Sequence, residues 1–334
     1  MATRRVICSI VMEGSSGLLK YGRSEHPVHA GGVRRSAGRP LRGRLAPSPT
    51  GHLHLGNARS FLLAWLDMRS RGGEIILRIE DIDGPRRIAG ADRAIVHDLE
   101  WIGLDWDNEL TDLYYQSRRG EYYRQAIEQL RDKGALYECF CSRRELRGIA
   151  SAPHGRDPVY PGTCWGRGAA ELERLRDRKT PSLRFHVRDD TIITFEDRLH
   201  GSVTEQVATE SGDFIVIRAD GIVSYQLAVV VDDIAMGVTD VLRGDDLLAS
   251  TARQILLFRT FNATAPVYTH VPLMHGPDGE RLAKRNGAPS LAELRNAGRQ
   301  AQEIVGFLAW SCGLIDRNEP LMPSDLLKDF SLGS

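Results

Sequence analysis

The string Arg44-Leu45-Ala46-Pro47-Ser48-Pro49-Thr50-Gly51-His52-Leu53-His54-Leu55-Gly56-Asn57 concentrates groups suited to anions. A short strand over 43–46 should run into Pro47 and Pro49, which end it. A helix over about 57–71 then begins, with Phe61, Leu62, Trp65 and Met68 on one face. A helix N-terminus offers unpaired N–H groups and a positive dipole end, a setting for phosphate. Gly56 lets the backbone approach a ligand closely, and His54 can donate to a phosphate oxygen or to developing charge. Taken alone, His54 reads as a capping residue in a turn; the whole string points to phosphate.

Two further constellations carry chemistry. Cys139-Phe140-Cys141 is followed by Tyr160-Pro161-Gly162-Thr163-Cys164. Three thiolates and one further donor can complete a tetrahedral zinc shell, and His154 is a physical candidate for the fourth place because imidazole is a common zinc donor. The alternative is a set of free core cysteines. Arg281-Leu282-Ala283-Lys284-Arg285 is the other group; in isolation it reads as a basic surface turn.

The elements that must position these groups follow from pattern and composition. The chain has 334 residues, with 44 basic and 44 acidic side chains. Such a balance argues against a uniformly basic nucleic-acid wrapper. The zero conceals an asymmetry: residues 1–40 hold seven basic and two acidic groups, leaving 37 and 42 for the remainder. That segment, rich in Gly, Ser and Arg, is expected to be a disordered tail, with a misread start or a transit peptide as alternatives; a secretory signal fits least, because Val6 to Met12 is short for one and Glu13 stands where a small residue should be. Five cysteines argue against a secreted disulfide framework. No apolar run approaches the roughly 18 residues of a membrane span, so no membrane partner and a cytoplasmic location are expected. Helices are expected over 91–102 and 120–133 and a buried strand over 74–79, an order that argues for a parallel sheet with crossover helices. Residues 137–212 read as an insertion with strands over 182–187 and 192–195. The α/β pattern resumes over 213–272: a hairpin over 214–225 around Ala219-Asp220-Gly221, a buried strand over 227–231, a helix over 247–261 and a strand over 267–271. The last stretch, 273–334, holds the basic turn and a helix near 303–311.

The motifs together resemble class I aminoacyl-tRNA synthetases, the glutamyl branch in particular. His54-Leu55-Gly56-Asn57 stands where that class carries its HIGH signature, and Arg44 to Gly51 matches R-x-A-P-S-P-T-G. Leu77 to Asp83 matches L-R-I-E-D-x-D, Tyr225 to Asp233 matches Y-x-L-A-V-V-V-D-D, and Arg243 to Leu247 matches R-G-x-D-L. Arg281 to Arg285 stands where the KMSKS loop belongs; Lys284 is kept, while Ala283 replaces the serine and cannot supply its hydroxyl. The blocks keep the family's order from about residue 42 to 290.

The resemblance implies an α/β fold: a Rossmann-like parallel sheet in two halves, 41–136 and 213–272, an inserted zinc-binding α+β subdomain over 137–212 and a short helical C-terminal region. It implies glutamate contacts at Arg44, Ala46, Pro47, Ser48, Glu80, Tyr225 and Arg243. ATP contacts are implied at His54, Gly56, Asn57, Arg281 and Lys284, with His54 and Lys284 catalytic and magnesium accompanying ATP. Two carboxylates and an ammonium on glutamate call for arginines and an acid, and the arginine fork suits a carboxylate. Asp232 and Asp233 read either as structural groups or as ribose contacts. The glutamyl-queuosine subgroup has a C-x-C…Y-x-x-x-C zinc site, which Cys139, Cys141, Tyr160 and Cys164 fit position by position. Full-length glutamyl enzymes continue well past the second signature into a helical anticodon-binding domain, and this sequence ends at Ser334. The resemblance therefore implies activation of glutamate and its transfer to queuosine, at the first anticodon position of tRNA(Asp). A short enzyme charging a tRNA 3′ end and a non-catalytic RNA- or nucleotide-binding relative are the alternatives.

Overall fold

The computed structural model describes residues 40–142, 145, 159–275, 282 and 289–332, together with the backbone of 5–12 and 19–26. Near the N-terminus, β1 (Arg5–Met12) pairs antiparallel with β2 (Leu19–His26), a ribbon where a disordered tail is expected. The β-branched Val6, Ile7, Ile10 and Val11 favour extended backbone there, a signal the Gly- and Arg-rich composition obscured.

The body is α/β. β3 (Arg42–Leu45) pairs in parallel with β4 (Glu74–Leu77), and β10 (Asp240–Gly244) in parallel with β11 (Val267–Val271). The two pairs meet where Thr239 N–H donates to the Arg42 carbonyl at 2.9 Å, just before β10. Strand residues alternate between two apolar cores. Ile75, Leu77 and Leu242 face one, with the Leu55–Ser70, Ala91–Trp101 and Ala301–Ser311 helices. Ile76, Val241 and Tyr268 face the other, with the Gly120–Asp132, Tyr225–Ala235 and Leu248–Thr260 helices. A parallel sheet covered on both faces needs this arrangement. Gly43 permits a close contact: a Cβ there would stand 2.4 Å from Met68 Cγ of the first crossover helix.

Two expected elements differ. The run over 227–231 is part of the Tyr225–Ala235 helix rather than a strand. Ser224 caps it, its side chain accepting from Leu227 N–H at 3.5 Å. Leu227 to Val231 are all buried, so the helix is apolar on every side at that level and shows no 3.6-residue period in sequence. The hairpin after β9 (Phe214–Ile217) is consequently brief, closed by Arg218 N–H to Ile222 O at 2.9 Å and one bridge between Ile217 and Val223.

The middle of the chain interleaves with its flanks. β5 (Leu136–Cys139), β6 (Ser182–Phe185) and β9 form one antiparallel sheet. β7 (Ile192–Asp197) pairs with β8 (Gly201–Gln206) and joins β11 through the Asp197–Tyr268 pairing. Among the described residues no helix is long and apolar enough to cross a membrane.

Candidate functional site

The C-terminal ends of β3, β4 and β10 open onto a cleft of about 530 Å³ lined by the N-terminus of the Leu55–Ser70 helix. Ligand sites in open α/β sheets favour that end of the strands. The cleft brings together Arg44, Ala46, Pro47, Ser48, His54, Gly56, Asn57, Glu80, Tyr225 and Arg243, ten residues drawn from four separated stretches of sequence. Arg281 and Lys284 lie outside the described residues, as does His154. Leu282 is described: its N–H donates to Met274 O at 2.7 Å, and its side chain is buried at the cleft.

His54 caps the helix, its ring Nδ1 accepting from Asn57 N–H at 3.4 Å. The helix has no acidic residue in its first turn, so its positive end is not offset locally. Gly56 sits between the His54 ring and the Leu282 carbonyl; a Cβ there would stand 3.2 Å from the ring and 3.4 Å from the oxygen.

Beneath the cleft lies a buried ionic network. Arg78, wholly buried just past β4, donates to Asp233 at 2.6 Å and to Glu80 at 2.9 Å. Arg44 Nε is 3.6 Å from the same Asp233 oxygen and has no hydrogen-bond partner. Asp232 accepts from Arg119 at 2.5 Å, Gln116 at 2.8 Å and Tyr123 at 2.9 Å. Asp232 and Asp233 are not among the residues that line the cleft, and both bond to buried side chains beside it. Burial raises the Glu80 carboxyl above its ordinary range, with Arg78 and Arg44 opposing the shift.

Arg243 has a different environment. Its Nε donates to His270 Nε2 at 3.0 Å, Nη1 to Gln254 at 2.8 Å and to Tyr225 at 3.4 Å, and Nη2 to Thr251 at 2.8 Å and to the Leu247 carbonyl at 3.4 Å. Every one of these acceptors is uncharged. Arg243 is 6% exposed, and among the described residues no carboxylate bonds to its guanidinium. Sequence reasoning missed His270, Thr251 and Gln254, although a histidine within the apolar run of β11 signals a buried polar contact.

The cysteine cluster forms at the end of β5. The sulfurs of Cys139, Cys141 and Cys164 lie within 4.8 Å of one another. Cys141 Sγ is 3.6 Å from Cys164 Sγ, and the Tyr160 phenol oxygen is 3.4 Å from Cys139 Sγ and 3.6 Å from Cys141 Sγ. Tetrahedral zinc with ordinary bond lengths sets S···S near ~3.8 Å and S···O near ~3.5 Å, so donor chemistry and spacing both fit that ion. Without a metal, burial pushes the Cys141 thiol up to about 11. The Arg184 guanidinium stacks 3.7 Å from the Tyr160 ring centroid and holds the phenol in place.

Comparison with known proteins shows the family. Residues 40–315 match the family model for the catalytic domain of class I tRNA synthetases (E and Q). A protein of Symbiobacterium thermophilum named glutamyl-Q tRNA(Asp) synthetase is 52% identical over 87% of this chain and 93% of its own. One of the same name from Nitratidesulfovibrio vulgaris is 47% identical over 85% and 90%. The crystal structure of a glutamate tRNA ligase from Elizabethkingia meningosepticum, in complex with its amino acid, superposes with a TM-score of 0.75 at 28% identity. The match covers 88% of this chain and 65% of that one. The chain therefore belongs to the class I tRNA synthetases of the glutamate and glutamine branch.

Proposed function

We propose that the chain activates L-glutamate with ATP and transfers it to queuosine in tRNA(Asp). The observation that carries the amino-acid choice is Arg243, a buried cation at the cleft whose bonded partners are all neutral. A substrate carboxylate is the partner such a group lacks, and the two long contacts, to Tyr225 and to Leu247 O, are the ones a carboxylate can replace. Glu80 takes the ammonium, while Arg44, Ser48 and Tyr225, with the backbone at Ala46 and Pro47, complete the glutamate site. The magnesium complex of ATP is the co-substrate. Its phosphates lie at His54, Gly56 and Asn57, with Arg281 and Lys284 adding positive charge.

In the first step a glutamate α-carboxylate oxygen bonds to the α-phosphorus as the bond to pyrophosphate breaks. In the second a queuosine hydroxyl bonds to the acyl carbon, the mixed anhydride opens, AMP leaves and the hydroxyl proton is released. The queuosine cis-diol resembles that of a terminal ribose, which makes it a chemically reasonable acceptor for the same pocket. The names of the relatives matched over most of their lengths support that acceptor. Cys139, Cys141, Cys164 and Tyr160 would hold a structural zinc, which binds the Tyr160–Cys164 turn to the end of β5. Catalysis rests on positioning and charge.

The test supplies labelled glutamate and ATP with tRNA from queuosine-containing and queuosine-lacking cells. Label on tRNA(Asp) from the first pool alone is expected. Label on tRNA(Glu) from both pools would make the chain a 3′-end charging enzyme, and absence of glutamate-dependent pyrophosphate exchange would refute glutamate activation.

A further inference from the structure

Arg243 and His270 are direct partners in the parallel register of β10 and β11, and Asp197 ends the neighbouring strand β7. Asp197 Oδ2 lies 2.7 Å from His270 Nδ1 and 3.1 Å from the His270 backbone nitrogen. Its other oxygen accepts from the N–H groups of Leu199 and His200 at 3.0 Å each. Four N–H donors thus converge on one fully buried carboxylate, which requires it to be ionised. Burial works against that charge, but the His270 ring and the two backbone N–H groups overcome it and hold the carboxyl below its usual range.

The consequence for His270 is a fixed tautomer. With its Nδ1 proton directed at Asp197, its Nε2 is left as the acceptor that Arg243 Nε needs. Thr251 Oγ1 reaches the same nitrogen at 3.1 Å. The other charged or aromatic groups facing the ring are His200 and Tyr268, at centroid distances of 6.5 and 6.0 Å. Burial and the nearby Arg243 disfavour the cationic ring, against the pull of Asp197.

We infer that His270 is a positioning residue for glutamate recognition: with its tautomer fixed by Asp197, it orients Arg243 while keeping the Asp197 carboxylate from pairing with it. The interposed imidazole aims the fork without neutralising it, so the guanidinium remains a receptor for the substrate's carboxylate. This inference rests on the glutamate reading above.

The test compares His270→Leu, which fills the space but accepts nothing, with His270→Gln, whose side-chain oxygen can replace Nε2. Glutamate-dependent pyrophosphate exchange should show a glutamate KM raised about 10- to 100-fold in H270L. H270Q should recover most of that loss, and the ATP KM should stay within about twofold in both variants. An unchanged glutamate KM in H270L, or equal losses in H270L and H270Q, overturns the positioning role. Long-range proton–nitrogen NMR of the wild-type ring at pH 7 gives an independent readout: a proton on Nδ1 alone is expected, and a proton on Nε2 overturns the inference even if neither variant folds. Wild-type protein lacking glutamate-dependent exchange would instead overturn the glutamate reading, and the inference with it.

Discussion

Replacement of Arg78 by Met tests the ionic floor of the cleft. Three guanidinium groups (Arg44, Arg78 and Arg119) and three carboxylates (Glu80, Asp232 and Asp233) share that buried space. Arg78 is the connecting member, 2.6 Å from Asp233, 2.9 Å from Glu80 and 3.9 Å from Asp232. Its removal leaves three buried carboxylates against two cations. Removing one member of a buried ion pair costs about 3–5 kcal/mol because the remaining charge is uncompensated, and that is the expected loss at pH 8. The cost should depend on pH in one direction. Glu80 already titrates above its unfolded value because it is buried, and Arg78 opposes that shift. Without Arg78 its folded pKa rises further, so below that pKa the folded variant takes up a proton and loses the unpaired charge. The destabilisation should therefore shrink by about 1.4 kcal/mol for each pH unit between the variant's Glu80 pKa and the lower, already raised, wild-type one. Urea unfolding of wild type and R78M, followed by circular dichroism at pH 8 and pH 5, measures both quantities. A cost below about 1 kcal/mol at pH 8, or an equal cost at the two pH values, would refute the reasoning.

Other parts of the site give shorter tests. Gly56→Ala puts a methyl 3.2 Å from the His54 ring and 3.4 Å from the Leu282 carbonyl; pyrophosphate exchange should show an ATP KM raised about 10-fold or more with a smaller change for glutamate. Tyr160→Phe keeps the ring over Arg184 but removes the oxygen lying 3.4 Å from Cys139 Sγ. Elemental analysis after dialysis should find about one zinc per wild-type chain and markedly less in Y160F. Ser224→Ala removes the cap of the Tyr225–Ala235 helix and should cost about 1 kcal/mol in urea unfolding, with glutamate KM following because Tyr225 begins that helix.

What was legible in sequence was local. The strand, proline turn and helix carrying Arg44 to Asn57 lie within one short stretch, where breaker residues and helical spacing report directly on geometry. The cysteines were legible because their spacing is a chemical constraint. The frame around Arg243 was not, since Asp197 and His270 are 73 residues apart in sequence and meet only through the pairing of β7 with β11. The sequence of the Tyr225–Ala235 helix reads as a strand over 227–231 because burial on every side erases the periodicity that separates the two states. The interleaving of β5, β6 and β9 was hidden for a related reason: strand partners are set by tertiary packing, and no local composition encodes them.

The two arginines of the cleft show how one side-chain type can be given two electrical environments. Arg44 shares Asp233 with Arg78, so its charge is already partly answered within the protein. Arg243 is surrounded by an imidazole, an amide, two hydroxyls and a carbonyl, all of which orient it and none of which neutralises it. A buried cation held this way is costly in the empty protein, and a bound carboxylate relieves that cost. On the proposed glutamate reading, selectivity for a second carboxylate follows from what its absence would leave behind. An amino acid with an apolar side chain would leave Arg243 buried and unanswered, and one with a side-chain amide would offer a dipole where the fork is set for an anion. Discrimination against these competitors should therefore depend on the neutrality of the Arg243 frame as well as on the arginine. An acid introduced at Gln254, which touches Arg243 at 2.8 Å, would pair with the cation and erode the preference for glutamate while leaving the arginine in place.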